Sequence, residues 1–419
     1  MRLRIKDYTT KVGSGVTPRG GAETYLNEGI PLFRSQNVTN DGFLMDDIAY
    51  ISEEVDEMMK GTRVKPGDVL LNITGASIGR CFFTSNDFGR GNVNQHVCII
   101  RPKKNVTLPA YLHYCIVSDK GQEQINLTQT GANREGLSIE DIKGFSFDIP
   151  PLSKQQRIVD YLDEKLGNID ARIAVLEKQQ DAYARLKKSI IYHTVTRGLN
   201  PNVSLKDSDV DWIGMIPEHW EVKRIKNVAS DIFMGVSPIY EYDNDNQNFV
   251  FGQRNNQSYG IDFNGIKYAK NDFFKSRSKK EFLIYGDVLL NTLGGGSVGR
   301  TGFYDRDNKV PVITDGHVMI IRSKIYNTRF MYYYLASQKE RLEMMAIGST
   351  NQAFFNVSDI REISLPTPPL NEQLIIANYL DEKCSKIDVA IENIGKQIDA
   401  LKRLKRALIN EVVTGQRAV

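Results

Sequence analysis

Two glycine-framed serines are the residues of this chain whose type and spacing most directly suggest chemistry. Gly75-Ala76-Ser77-Ile78-Gly79 and Gly295-Gly296-Ser297-Val298-Gly299 both fit GxSxG, and each follows an apolar run that reads as a strand. In hydrolases this pattern lifts a serine Oγ onto a sharp turn between a strand and a helix. Here the following residues, Arg80-Cys81-Phe82-Phe83-Thr84 and Arg300-Thr301-Gly302-Phe303-Tyr304, read as a second strand, so a glycine-rich hairpin is expected instead. Gly294, Gly296 and Gly299 also satisfy GxGxxG, but the first copy lacks that triplet and no helix follows, which argues against a dinucleotide site. Of the five histidines only His96 and His317 recur between the halves, and neither has a recurring acid beside it, as a general base needs. Packing or a ligand contact from a strand is expected of them. The cysteines Cys81, Cys98, Cys115 and Cys384 lie far apart without a CxxC pair, so neither a disulfide framework nor a zinc site is expected.

A different chemistry is available in the loops. Arg34-Ser35-Gln36-Asn37, Thr128-Gln129-Thr130-Gly131-Ala132-Asn133-Arg134, Gln253-Arg254-Asn255-Asn256-Gln257 and Gly348-Ser349-Thr350-Asn351-Gln352 are rich in Asn, Gln, Thr and Arg. Asn and Gln can bond adenine through two hydrogen bonds and Arg can do the same to guanine, so such loops suit base edges. The candidate DNA-contacting residues are Arg34, Gln36, Asn37, Arg80, Asn133 and Arg134 in the first half, with Gln253, Arg254, Asn255, Arg300, Thr350, Asn351 and Gln352 in the second. By composition alone the same loops also read as ordinary solvated connections. Pro150-Pro151-Leu152 and Pro368-Pro369-Leu370 approach a methyltransferase-type Pro-Pro-aromatic loop, but both lack the preceding Asn or Asp and the following aromatic. Each sits at a helix entrance, where Pro is at home.

The elements that position these residues occur twice. Gly67-Asp68-Val69-Leu70-Leu71-Asn72 answers Gly286-Asp287-Val288-Leu289-Leu290-Asn291, and Tyr161-Leu162-Asp163-Glu164-Lys165 answers Tyr379-Leu380-Asp381-Glu382-Lys383, roughly 220 residues on. Between these anchors the halves differ freely, as a common frame carrying different specificities would. Two similar halves in line suit a ligand with two half-sites. Each half reads as mixed α/β: short apolar runs such as Val97-Cys98-Ile99-Ile100 are bounded by Gly, Asn or Pro, as buried strands are. Tyr111-Leu112-His113-Tyr114-Cys115-Ile116 and Phe330-Met331-Tyr332-Tyr333-Tyr334-Leu335 read as helices after their strands.

Each half ends in a long heptad stripe. The first is Leu162, Leu166, Ile169, Ile173, Leu176, Tyr183 and Ile190, interrupted by Gln180; the second is Leu380, Cys384, Ile387, Ile391, Ile394, Ile398, Leu401 and Leu408. Ser153 and Asn371 are expected to cap these helices. At roughly 40 residues and 1.5 Å per residue each would reach about 60 Å. The first helix leads into the second half and the second leaves it, so an antiparallel pair is expected; a parallel coil or homodimerisation through each stripe is the alternative.

Composition sets outer limits. With 41% apolar and 25% charged residues the 419-residue chain is ordinary for a globular protein of two or three domains. No transmembrane run or signal-peptide core is legible, and a cytoplasmic location is expected. A net charge of +3 does not by itself announce a nucleic-acid binder.

Taken together, several features resemble the specificity subunit of a type I restriction-modification system. They are the two variable halves, the repeated coiled-coil helices with Leu-Lys-Arg-Leu-Lys-type ends, and the Pro-Pro-Leu-x-x-Gln entrances at Pro150 to Gln155 and Pro368 to Gln373. The lead-in Asp211-Trp212-Ile213-Gly214 with Ile216-Pro217-Glu218-His219-Trp220 adds to them, although its counterpart before the first half is missing. The resemblance covers nearly the whole chain and rests on order and duplication. It implies an α/β (α+β) fold with two target recognition domains, at 1–150 and 221–368, separated by antiparallel coiled-coil helices at 151–196 and 369–419, with a linker at 197–220 and an internal pseudo-twofold repeat. It further implies that each domain reads one part of a split double-stranded DNA sequence, that the helices fix the gap and hold two modification (methyltransferase) subunits, and that restriction (endonuclease/translocase) subunits complete the assembly. No cofactor or metal is then expected in this chain; S-adenosylmethionine, ATP and Mg would belong to the partners. A GxSxG hydrolase and a coiled-coil scaffold without a DNA role are the rival readings.

Overall fold

The structure, a computed structural model, describes residues 1–129, 136–238, 240–241, 248–257, 260–306, 311–346 and 354–419. The chain divides into two compact units, one formed by Met1–Lys178 with Gly395–Val419 and the other by Gln179–Ile394.

In the first unit the run Val69-Leu70-Leu71-Asn72 is a strand buried on both faces. Side chains alternate across a strand. Val69 and Leu71 therefore join one core, with Cys98, Ile100, Tyr111, Leu112 and Ile116, while Leu70 joins a second, with Phe33, Val93, Val97 and Ile99. Burial on both sides explains a continuous apolar run in place of a polar alternation. The strands Thr9–Ser14, Val97–Pro102, Val69–Asn72 and Cys81–Phe83 make one antiparallel sheet in that spatial order. The helices Pro109–Val117 and Asp119–Gln129 supply residues to the first core. A smaller sheet, Ala49–Ile51, Ile30–Phe33 and Asn92–Val93, contributes Phe33 and Val93 to the second core.

The second unit repeats this plan. Asp231–Met234, Val318–Arg322, Val288–Asn291 and Thr301–Phe303 form the same four-stranded order. Leu289, Val318 and Ile320 again face one core and Val288, Leu290, Met319 and Ile321 the other. An ion pair between a buried aspartate and a part-exposed arginine braces the central strands at the same place in each: Asp68 with Arg101, and Asp287 with Arg322, at 2.6 Å in both cases.

The long helices run from Leu152 to Arg197 and from Leu370 to Val413. Within the first unit Leu162 and Leu166 share a core with Leu408, Ile409 and Val412, and Lys405 bonds Asp170. Within the second unit Gln180 donates to the Ile391 carbonyl, Lys187 pairs with Asp388, and Val195 shares a core with Ile376 and Ala377. In each case residue numbers rise along one helix as they fall along the other, so the helices pair antiparallel.

Three expectations need correction. Ser153 and Asn371 are not the caps: the helices already include Leu152 and Leu370, and the carbonyls of Pro151 and Pro369 accept the first helical amides. The residues that fasten the entrances are Gln155 and Gln373. The buried Gln155 amide donates to Pro150 and Val106 carbonyls and accepts from Thr107 and Leu108; Gln373 bonds Pro368 and Asn327 in the same manner. Tyr183, placed on the seam by the heptad frame, is exposed, next to the stretch where Gln180 puts a polar contact into the seam. Finally, the stretch 197–220 is folded: Leu205–Asp207 pairs antiparallel with Met215–Pro217, and Ile213, Ile216 and a fully buried Trp220 enter the second unit's core. Their apolar area favours burial over a solvated linker.

Candidate nucleic-acid interface

One end of the four-stranded sheet gathers the candidate loops in each unit. In the first, the strand Ile30–Phe33 delivers the turn at Arg34–Asn37, and Val69–Asn72 delivers the glycine turn that ends at Arg80. A bridge joins Thr74 to Gly136. In the second, Phe249–Phe251 leads to Gln253–Asn255, Val288–Asn291 leads to the turn ending at Arg300, and a bridge joins Leu293 to Phe354. Asn133, Arg134, Thr350, Asn351 and Gln352 themselves lie outside the described residues.

The remaining candidates divide by surroundings. Gln36 is exposed and donates to the Asp47 carboxylate at 2.6 Å; Arg34, half-buried, donates to the Asp47 carbonyl at 2.5 Å and rests against Tyr25. Arg80 is exposed. Arg254 is exposed with its guanidinium on the Gly265 carbonyl, and Gln253 accepts from the Ser297 hydroxyl at 3.0 Å. Arg300 is held by the Gln257 side chain at 2.8 Å and by the Asn256 and Gly296 carbonyls. Asn37 and Asn255 behave differently: they are 1% and 2% exposed, respectively. Each accepts from an amide three residues back at 3.0 Å and donates to a carbonyl across the loop, Leu44 or Asp262. Their amides are spent holding the turn and are not free to meet a ligand. Sequence reasoning missed Asp47, the partner that orients Arg34 and Gln36, because nothing in its local pattern marks it; Gln257, which orients Arg300, lies in a loop singled out by composition but was not named as a site residue.

The serine motif forms the expected hairpin. A short turn at Gly75–Ser77 leads into Cys81–Phe83, antiparallel to Val69–Asn72. Gly79 and Gly299 close the turns at φ +85° and +76°, and a Cβ there would come within 2.7 Å of Gln122 or 2.9 Å of Leu342. Ser77 Oγ donates to the Thr74 carbonyl and Ser297 Oγ to the Leu293 carbonyl; among the described residues neither bonds a histidine. His96 instead meets the Thr74 hydroxyl at 2.7 Å and the Gln95 amide. His113 is buried, its ring pushed down to about 4 by desolvation, beside Cys81. Burial likewise raises the Asp315 carboxyl, opposed by the His317 amide it accepts. Both serve packing and loop shape. Ser77→Ala and Ser297→Ala are accordingly expected to shift stability by no more than about 1 kcal/mol. Neither should change the rate at which purified protein cleaves p-nitrophenyl esters; activity lost in either variant would contradict the hairpin assignment.

Comparison with known proteins points in one direction. A family profile described as type I restriction modification DNA specificity domain matches residues 3–181 and again 217–403. The putative type I restriction enzyme MjaX specificity subunit of Methanocaldococcus jannaschii is 25% identical, over 98% of this chain and 92% of its own. The type I restriction enzyme EcoKI specificity subunit of Escherichia coli is 19% identical, over 98% and 88%. Among solved structures, a chain from work on complex assembly and conformational transition of the type I R-M system aligns with a TM-score of 0.74 at 18% identity, covering 99% of this chain and 97% of that one. The HsdS subunit from Thermoanaerobacter tengcongensis aligns at 0.51 and 17%, covering 100% and 97%.

Proposed function

Since this chain belongs to the type I restriction-modification DNA specificity family, we propose that each of its two units reads one half of a bipartite double-stranded DNA target. The observation that carries this reading is the repeated sheet end: both units present an arginine-bearing glycine turn beside a loop of Asn, Gln and Arg. We assign contact with base edges or phosphates to Gln36, Arg80, Arg254 and Arg300, and a supporting role to Arg34 and Gln253. The paired helices set the gap between the half-sites and dock two modification subunits. Methyl transfer with S-adenosylmethionine, and cleavage driven by ATP with Mg by restriction subunits, belong to those partners, and this chain contributes no reacting group. A net charge of +3 suits a reader whose partners supply much of the phosphate clamp. Among the described residues no helix is long and apolar enough to cross a membrane. A protein that reads chromosomal DNA would act in the cytoplasm.

Sequencing of methylated adenines in cells carrying variants tests the partition. Gln36→Ala and Arg80→Ala are expected to relax one half-site only, and Arg254→Ala and Arg300→Ala the other, each lost base contact being worth about 1–3 kcal/mol of discrimination. Equal degradation of both half-sites by all four variants would sink the reading.

A further inference from the structure

Resting on that reading, we infer that Asn72 and Asn291 are positioning residues for base recognition, each fastening the two DNA-facing loops of its unit to the sheet. They occupy the same place in the repeat, the last residue of the strands Val69–Asn72 and Val288–Asn291, and both are 0% exposed. A strand interior asks only for an apolar side chain there, and the three preceding residues in each strand are Val-Leu-Leu. Both amides bond through Nδ2, and Asn72 Oδ1 is buried with no partner among the described residues, so keeping the asparagine costs free energy that its loop contacts must offset.

Those partners are the reading loops. Asn72 Nδ2 donates to the Ser35 carbonyl at 2.7 Å and to the Val38 carbonyl at 3.2 Å, clasping the turn that carries Arg34, Gln36 and Asn37 from both ends. Its backbone holds the other loop: Asn72 N donates to the Arg80 carbonyl at 2.8 Å, and its carbonyl accepts from Gly79 at 3.0 Å. Asn291 does the same with a different partner set. Its Nδ2 donates to the Gln253 carbonyl at 3.1 Å, and its Oδ1 accepts from Asn256 at 3.0 Å. Its backbone exchanges bonds with Arg300 and Gly299, both at 2.9 Å. Asn256 passes the connection on, donating to the Leu289 and Arg300 carbonyls. In the first unit apolar Val38 stands one residue after Asn37, as Asn256 follows Asn255, and the Asn72 amide reaches the loop unaided. The loops differ in sequence while the fastening asparagine is kept, so one device registers two different readers against the same sheet.

The reconstituted complex with its modification subunits tests this on DNA duplexes carrying every single-base change in each half-site. Asn72→Ala is expected to lower discrimination about tenfold, the order of one lost base contact, at the half-site that Gln36→Ala affects, leaving the other unchanged. Asn291→Ala should do the reciprocal. Asn72→Ser, which keeps one short donor, should fall between. Val69→Ala, in the same strand but without a loop contact, should lower thermal stability and leave discrimination alone; Asn72→Ala that merely copies it, or that weakens both half-sites in proportion, overturns the inference. Should Asn72→Ala fail to fold, Asn72→Ser decides alone, by a selective shift or by none. If Gln36→Ala and Arg80→Ala leave both half-sites intact, the DNA-reading assignment itself falls and takes this inference with it. If those two shift discrimination and neither asparagine variant does, only the positioning role is lost.

Discussion

Arg101→Met should destabilise the first unit by about 3–5 kcal/mol, because it strands a carboxylate that the fold has removed from water. Asp68 is fully buried and receives Arg101 through two bonds, Nε at 2.6 Å and Nη2 at 2.7 Å, while the Lys65 amide holds the same carboxylate at 2.7 Å. Methionine fills the volume of the arginine stem but offers no charge. Removing both partners, as in Asp68→Asn with Arg101→Met, should recover much of the loss, since a neutral amide can still accept from Lys65 and leaves no orphaned ion. Urea titrations of the single and double variants supply the coupling energy. A single-variant loss under about 1 kcal/mol would mean the pair is screened as surface pairs are. Arg322→Met should act in the same sense on the second unit, where Asp287 takes the same two bonds.

Lengthening both long helices by four residues should lengthen the gap in the DNA target. The places to insert are after Lys178 in the first and after Ile394 in the second, where each helix passes from one unit's contacts to the other's. Each insertion adds about 6 Å at 1.5 Å per residue, and about 400° of turn leaves the apolar stripe close to its phase. With base pairs spaced about 3.4 Å apart, methylome sequencing should return the same two half-sites separated by one or two more base pairs. A folded, active variant with an unchanged gap would show that the helices do not measure the spacing.

The sequence revealed frame better than detail. Strands such as Val69–Asn72 were legible because burial on both faces writes an unbroken apolar run, and the helices because a heptad stripe has no other use. The glycine turn after each strand was legible as a hairpin because an apolar run, not a helical one, follows it. Which loop residue faces outward was not legible: Gln36 and Asn37 are adjacent and chemically alike, yet the turn exposes one and buries the other. Helix starts differ for a related reason, since Ser153 and Asn371 are good caps by type while the helices begin earlier, their first amides bonding the Pro151 and Pro369 carbonyls. Asn72 offered only its recurrence at the end of a strand; its partners lie more than thirty residues away in sequence.

The first unit is closed by the last residues of the chain, with Leu408, Ile409, Val412 and Val413 sealing the core around Leu162 and Leu166. On a ribosome making about 5–20 residues per second, the residues from 179 to 419 take on the order of tens of seconds to emerge. During that time the first unit waits with an open apolar seam, while the second is made from one uninterrupted stretch, Gln179–Ile394. Order of synthesis and order of completion are thereby reversed. A chain cut short by a nonsense codon within the last turns of the second long helix would keep every reading loop and still leave its N-terminal half unfinished, a ready substrate for chaperones and proteases.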